Sequence, residues 1–367
     1  MRVDLLDPSA YTPPYDRALA GALAAAGVDV RLLTSAFPYG DVPPVPPGVT
    51  YEERFYRGAR GPAASRRRAL TKLAGHVPAM LRYRREAVRL GLDVLHAQWL
   101  ALPQFDRFIL PPGIPFVITA HDVLPREERF GLGAAQRRVY HQADRVVVHS
   151  EHGRGRLIEE VGLTADRVVV IPHGAFTHFA DLTPALPPEL PAPSGPVAVL
   201  PGLMRPYKGL DVLLDAWRSF GDTPPGELWI VGKARMELPD LASLPPGVTI
   251  VDRFVSEREL AGVLGAADLV VLPYREIDQS GVLYAALGLG RPMLLSDAGG
   301  FGEVAAADCA DLVPAGDVAA LAAGLQRLLG DAERRTVLSD NARAAAASTY
   351  SWERVAAAHL DLYRTLI

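Results

Sequence analysis

Short apolar runs, each followed by a stretch with helical spacing, recur along the chain, and this alternation restricts the fold more than any single motif does. VDLLD (3–7), DVRLL (29–33), DVLHA (93–97), PFVITA (115–120), RVVVHS (145–150) and RVVVI (167–171) are predicted strands, with helices over 15–26, 66–90, 133–142 and 152–161. Strands alternating with helices are the mark of parallel sheets wrapped on both faces. The series stops at DLTPALPPELPAPSGP (181–196), whose six prolines deny any regular element. It then restarts with AVLPG (198–202), a helix over 208–220, ELWIVG (227–232), VTIVD (248–252) and a helix over 256–266. DLVVLP (268–273), a helix in GVLYAALGLG, MLLS (293–296), ADLV (310–313) and two closing helices over 318–346 and 352–367 complete it. A chain of 367 residues exceeds what one core usually organises. The expectation is an α/β protein of two doubly wound, Rossmann-like domains facing across a cleft. They span 1–180 and 197–350, joined by the proline-rich linker 181–196, with 351–367 a terminal helix packing back on the first domain.

Composition narrows the class. About half the chain is apolar, and Cys309 is its only cysteine, which leaves no disulfide and fits a reducing compartment. MRVDLLDPSAY has neither the apolar core nor the cleavage site of a signal peptide, and no apolar run is long enough to span a bilayer. A cytoplasmic protein is expected. The net charge of −4 is unevenly placed: from Arg57 to Arg89 ten basic residues meet one acid, Glu86. Such a block suits an anionic partner, either a phosphate-bearing lipid surface or a nucleic acid, or is simply a solvated helical face.

In open parallel sheets ligands sit beyond the carboxyl ends of the strands. Two stretches of the second half place chemistry there. In REIDQSGVLYAALG the first amides of a helix, at Ser280, Gly281 and Val282, have no intrahelical acceptor and form an anion site that Gly281 leaves open. Alternatively, Asp278 or Ser280 merely caps that helix. In PGLMRPYKGLDVLL, Gly202 ends a strand and Arg205 and Lys208 follow it, two cations at the same sheet edge suited to a diphosphate, or else two surface cations.

The order PGLMRPYKGLDVLLDAW, ELWIVG, RFVSERELAGVLGAADLVVLPY, QSGVLYAALGLGRPMLLSDAGGFGEV resembles the C-terminal half of retaining, nucleotide-sugar-dependent glycosyltransferases of family four, which have the GT-B fold. DVLHAQW, VITAHDVLP, RVVVHSEHGRGRLI and VVVIPHGAF extend the resemblance over the first half. It implies a hexosyltransferase whose donor is a nucleoside diphosphate sugar and whose acceptor is a glycan, a lipid-linked sugar or a small molecule. No metal or other cofactor is then required, and no nucleic acid is an expected partner. Lys208 matches the lysine that binds the donor diphosphate, with Arg205 a displaced substitute for an arginine usually found nearer Leu203. Ser280, Gly281 and Val282 match the loop whose amides hold the diphosphate. His121 matches a histidine facing the transferred sugar, its other reading being a hydrogen-bonded loop histidine. The resemblance also implies a basic N-domain helix that docks on the inner face of a membrane.

Two departures bear on the donor. Members commonly carry two glutamates separated by seven residues; here Glu276 and Asp278 stand near the first position, but Ala285 and Ala286 occupy the second. The loop after the first strand is SAYTPPYD rather than a glycine pair, so Tyr11, Thr12 and Tyr15 are expected to shape the acceptor side. A catalytically silent sugar-nucleotide or partner-binding protein is the rival reading, and a phosphorylase or epimerase a third. No G-x-G-x-x-G follows the first strand, which removes a nicotinamide cofactor. His141, His149, His152 and His173 lack metal-ligand spacing.

Overall fold

A computed structural model describes residues 1–38, 40, 42–57, 66–125 and 131–367. The chain divides into two compact units, residues 1–174 with 352–367, and residues 175–351. The proline-rich stretch therefore lies inside the second unit.

The first unit holds a parallel sheet of β1 (Arg2–Asp7), β2 (Asp29–Thr34), β3 (Val49–Glu53), β4 (Val94–Ala97), β5 (Phe116–Thr119), β6 (Arg145–Val148) and β7 (Val168–Val170), in the order β3-β2-β1-β4-β5-β6-β7. Around it run α1 (Pro13–Ala25), α2 (Arg66–Leu90), α3 (Pro103–Ile109), α4 (Leu132–Gln142) and α5 (Glu151–Arg156). The second unit holds β8 (Val197–Pro201), β9 (Glu227–Val231), β10 (Val248–Val251), β11 (Leu269–Leu272), β12 (Met293–Asp297) and β13 (Ala310–Pro314), in the order β10-β9-β8-β11-β12-β13. Its helices are α6 (Leu210–Arg218), α7 (Glu257–Ala266), α8 (Gly281–Gly288), α9 (Phe301–Ala305), α10 (Val318–Gly330) and α11 (Ala332–Ala347), and α12 (Trp352–Arg364) returns to pack on α1 in the first unit. Both sheets are doubly wound, as the alternation requires, and each order reverses beside its first strand.

Central strands are buried on both faces, which is why they read as unbroken apolar runs. Two elements escape that signal. The edge strand β3 has no fully buried residue and so no apolar run, and α3 is only seven residues long. The helix predicted over 318–346 is two helices, because Asp331 takes an extended conformation and its carboxylate accepts the Arg334 amide at 2.8 Å, capping α11. A full capping box starts α7, where Ser256 and Glu259 satisfy each other's amides.

Candidate functional site

In the second unit the sheet reverses between β8 and β11, so the loops leaving these strands are neighbours although some 70 residues of sequence, Val197 to Leu269, separate the strand starts. Gly202 follows β8 with φ +98°, in the left-handed region that favours glycine. A Cβ there would stand 2.9 Å from Val282 Cγ2 and 3.2 Å from Lys208 Nζ. The lysine and the first turn of α8 therefore close on one glycine. Lys208 ends a short 3-10 turn, and Gly209 (φ +68°) then runs so close to β11's exit that a Cβ would overlap the Pro273 carbonyl oxygen at 2.0 Å. The Arg275 amide donates to the Tyr207 carbonyl at 2.7 Å, zipping the two loops together.

Lys208 is only 8% exposed, and its Nζ lies 4.9 Å from the Tyr274 ring centroid with no carboxylate paired to it among the described residues. Holding an ammonium nearly out of water without a counter-ion is costly, and an arriving anion relieves that cost. Ser280 precedes α8 without capping it by its side chain, which leaves the Gly281 and Val282 amides at the positive end of the helix dipole. Arg205 is half-buried at the start of the Lys208 loop. Of the two acids, Asp278 is buried and Glu276 exposed, so they have different surroundings. Between them the Ile277 carbonyl meets Gly299, where a Cβ would come within 1.8 Å, so the glycine pair after β12 supports the loop entering α8. Ala285 and Ala286 are fully packed.

The first unit has its own cluster. His121, just after β5, is 7% exposed beneath Trp99, with ring centroids 5.3 Å apart and planes 14° apart, and Tyr15 meets it edge-on at 4.8 Å. Its Nδ1 faces His149 Nε2 at 3.3 Å, and its Nε2 faces the Gln98 side chain at 3.1 Å. His149 must donate Nδ1–H to the Ile171 carbonyl at 2.9 Å, so its Nε2 accepts and His121 donates from Nδ1. His121 Nε2 then carries the lone pair, which assigns the Gln98 NH2 to that side. Burial, and then the neighbouring imidazoles of His149, His173 and His96, hold His121 neutral, well below the usual histidine range. Among the described residues no three His, Cys, Asp or Glu side chains are grouped to hold a metal.

Tyr274, Trp99 and Gln98 are site residues that sequence reading missed. Tyr274 directly follows the quoted DLVVLP and Trp99 ends DVLHAQW, but only the adjacency of β8 with β11, and of β4 with β5, reveals what they touch.

The model of Glycosyltransferase Family 4 matches residues 17–178, and that of Glycosyl transferases group 1 matches residues 195–331. The GDP-mannose:glycolipid 4-beta-D-mannosyltransferase of Xanthomonas campestris pv. campestris is 29% identical, over 64% of this chain and 70% of its own. The phosphatidyl-myo-inositol mannosyltransferase of Mycobacterium leprae is 28% identical, over 100% and 97%. Among solved structures, sucrose-phosphate synthase from Thermosynechococcus elongatus superposes with a TM-score of 0.73 at 22% identity, over 100% of this chain and 99% of its own. Anabaena HepE in complex with UDP-glucose gives 0.70 at 18% identity, over 100% of both chains. The structural likenesses show the two-domain fold, not the reaction.

Proposed function

The chain belongs to glycosyltransferase family 4 and is a hexosyltransferase, and from that premise we propose that it takes its hexose from a nucleoside diphosphate sugar held on Lys208 and the first amides of α8, and transfers it with retention of configuration. The observation that carries this reading is the nearly buried Lys208 ammonium, with no carboxylate paired to it among the described residues, closing with α8 on Gly202. As the bond from the sugar C1 to the diphosphate oxygen breaks, negative charge grows on the leaving group, where a fixed cation and two N–H donors stabilise it. Arg205 adds a second cation at that sheet edge. Asp278 orients the sugar hydroxyls, and the exposed Glu276 completes the same loop. No metal is needed where fixed cations carry that charge, and no protein nucleophile is invoked. The ribose has no carboxylate to meet on α8, where Ala285 and Ala286 stand, so its hydroxyls are held by other groups. His121 serves the transferred sugar as a neutral group. Release of nucleoside diphosphate across UDP-, GDP-, ADP- and dTDP-sugars, abolished in Lys208→Ala, tests the donor site. The anomeric proton coupling of the product tests retention; an inverted product refutes that part alone.

A second observation concerns the acceptor. Relatives named above act on a glycolipid and on phosphatidyl-myo-inositol. On α3, Phe105 and Phe108 are 56% and 64% exposed, with the Arg107 guanidinium 3.9 Å from the Phe108 ring centroid and Arg84 of α2 donating to the Phe108 carbonyl at 3.3 Å; Arg82, Arg85 and Arg89 are further exposed arginines of α2. Arg60 and the side chains of Arg66, Arg67 and Arg68, part of the same basic block, lie outside the described residues. Exposed phenylalanines flanked by arginines fit an anionic lipid surface, and a lipid-linked acceptor is the corresponding substrate. No helix among the described residues is long and apolar enough to cross a membrane. Sedimentation with anionic vesicles, lost in high salt and weakened in Phe105→Ser with Phe108→Ser, is the expected result; salt-insensitive or absent binding refutes it.

A further inference from the structure

Tyr274 stands two residues beyond β11, fully buried, and its surroundings hold it in place. Its carbonyl accepts the Ser296 hydroxyl at 2.5 Å, which ties the residue to β12. The next residue, Arg275, donates its amide to the Tyr207 carbonyl at 2.7 Å and grips both oxygens of Asp211, in the first turn of α6, at 2.9 and 2.6 Å. The ring itself meets Tyr207 edge-on, with centroids 6.0 Å apart, and Phe301 at 5.4 Å. A ring packed in this way cannot turn aside, and Lys208 Nζ lies over its face at 4.9 Å.

The hydroxyl does not account for a tyrosine here. Its oxygen is buried and meets no hydrogen-bond partner among the described residues, which costs free energy. What the ring supplies is its face, whose negative quadrupole attracts a cation within about 6 Å. A carboxylate in the same place would also hold the ammonium, but it would cancel the charge and compete with an arriving phosphate. A ring face attracts the ammonium and leaves its charge whole. Lysine needs such a seat, because its four-carbon stem is flexible and no carboxylate among the described residues pairs with it.

We propose that Tyr274 is a positioning residue, whose ring face seats the Lys208 ammonium beside Gly202 and the first turn of α8 so that an anion arriving there meets a cation already in place. Its role toward the donor diphosphate rests on the transferase reading; the seat itself does not. The ring is fully buried, so Tyr274 acts on the anion only through Lys208.

Two measurements on the full chain test this. Lys72, Lys208 and Lys233 are its only lysines, so labelling with 13C at the lysine ε-carbon gives three signals, and the one lost in Lys208→Met belongs to Lys208. Protons above a ring face are shifted upfield. The Lys208 ε-protons are expected upfield of those of Lys233, whose ammonium lies 3.2 Å from an Asp252 oxygen, to lose that shift in Tyr274→Leu, and to regain it in Tyr274→Phe. Calorimetric titration with inorganic pyrophosphate reads the consequence. Its dissociation constant is expected to rise about two- to thirtyfold in Tyr274→Leu and to recover in Tyr274→Phe. It should rise again when 3,4,5-trifluorophenylalanine replaces Tyr274, a ring of nearly the same shape whose face is drained of negative charge. In the Lys208→Met background, Tyr274→Leu should change nothing further. Where circular dichroism shows that Tyr274→Leu does not fold, the fluorinated variant decides. A Lys208 signal indifferent to the ring, or an unchanged constant in the fluorinated variant, overturns the proposal. Equal losses in Tyr274→Phe and Tyr274→Leu overturn it by assigning the effect to the hydroxyl, and equal losses from Tyr274→Leu with and without Lys208 overturn it by making the ring merely structural. Pyrophosphate binding indifferent to Lys208→Met, with the Lys208 signal still following the ring, keeps the seat and sinks the donor reading.

Discussion

The Lys208 ammonium stands 4.9 Å from the centre of the Tyr274 ring and 3.2 Å from the point where a side chain on Gly202 would begin. Two loops of sequence meet at that charge: Gly202 and Lys208 lie in the one that joins β8 to α6, and Tyr274 lies just after β11. Replacing Lys208 with methionine keeps the volume and removes the charge. Donor turnover should fall by about 10²–10³-fold, the usual loss when one group stabilising a developing anion is removed. Stability should hold or rise, because an ammonium with no carboxylate partner among the described residues leaves a nearly buried site. Parallel measurement of kcat and Tm checks this; a fall in both marks Lys208 as structural.

Gly209→Ala and Gly221→Ala separate backbone strain from collision. Both glycines have positive φ, +68° and +61°, but a Cβ at 209 overlaps the Pro273 carbonyl oxygen, whereas one at 221 meets nothing within 4 Å. Gly221→Ala should cost about 1–2 kcal/mol from conformation alone. The loss in Gly209→Ala should exceed it, with β8 and β11 exit loops pried apart. Equal unfolding free energies in urea would remove the proposed close approach.

Acid should destabilise the first unit selectively. His96, His121, His149, His173 and His359 are all buried there, and burial depresses each, His149 and His359 to about 4. The folded unit refuses protons that the unfolded chain binds below about 6.5. Stability is therefore complete above that pH and lost as pH falls toward 4, by roughly 3 kcal/mol for each of His149 and His359. A calorimetric melt of the first unit that stays constant between pH 7 and 5 contradicts this.

Asp16→Asn should be tolerated at neutral pH. Asp16 is fully buried beside Asp7, and burial, then the Asp7 charge, pushes its carboxyl well above the usual range. Asp7 accepts three amides, from Ser9, Tyr11 and Thr12, so the shared proton stays on Asp16. An amide supplies the same donor without a proton to lose. The gap in Tm should move in the variant's favour as pH rises above about 4, where the unfolded chain ionises while the folded pair keeps its proton; a gap that does not change with pH contradicts this.

What local sequence determines, it determines well. Period and composition set the two alternating series, because each central strand is buried on both faces and each helix must cover one. The Lys208 turn and the start of α8 were each legible because their own parts are neighbours along the chain, Gly202 with Lys208 in one stretch and Ser280 with Gly281 in the other. The edge strand β3 escaped because it buries no residue completely, and the break at Asp331 escaped because a cap inside an alanine-rich run leaves the helical spacing intact on either side. Which loops meet was a different matter. Trp99 lies on His121 because β4 pairs with β5, and Val282 reaches Gly202 because β11 pairs with β8. Strand order is a choice among distant pairings that leave the local pattern unchanged. The sequence alone could thus name Lys208, His121 and Ser280, while only the tertiary structure could bury Asp278, expose Glu276 and lay Trp99 on His121.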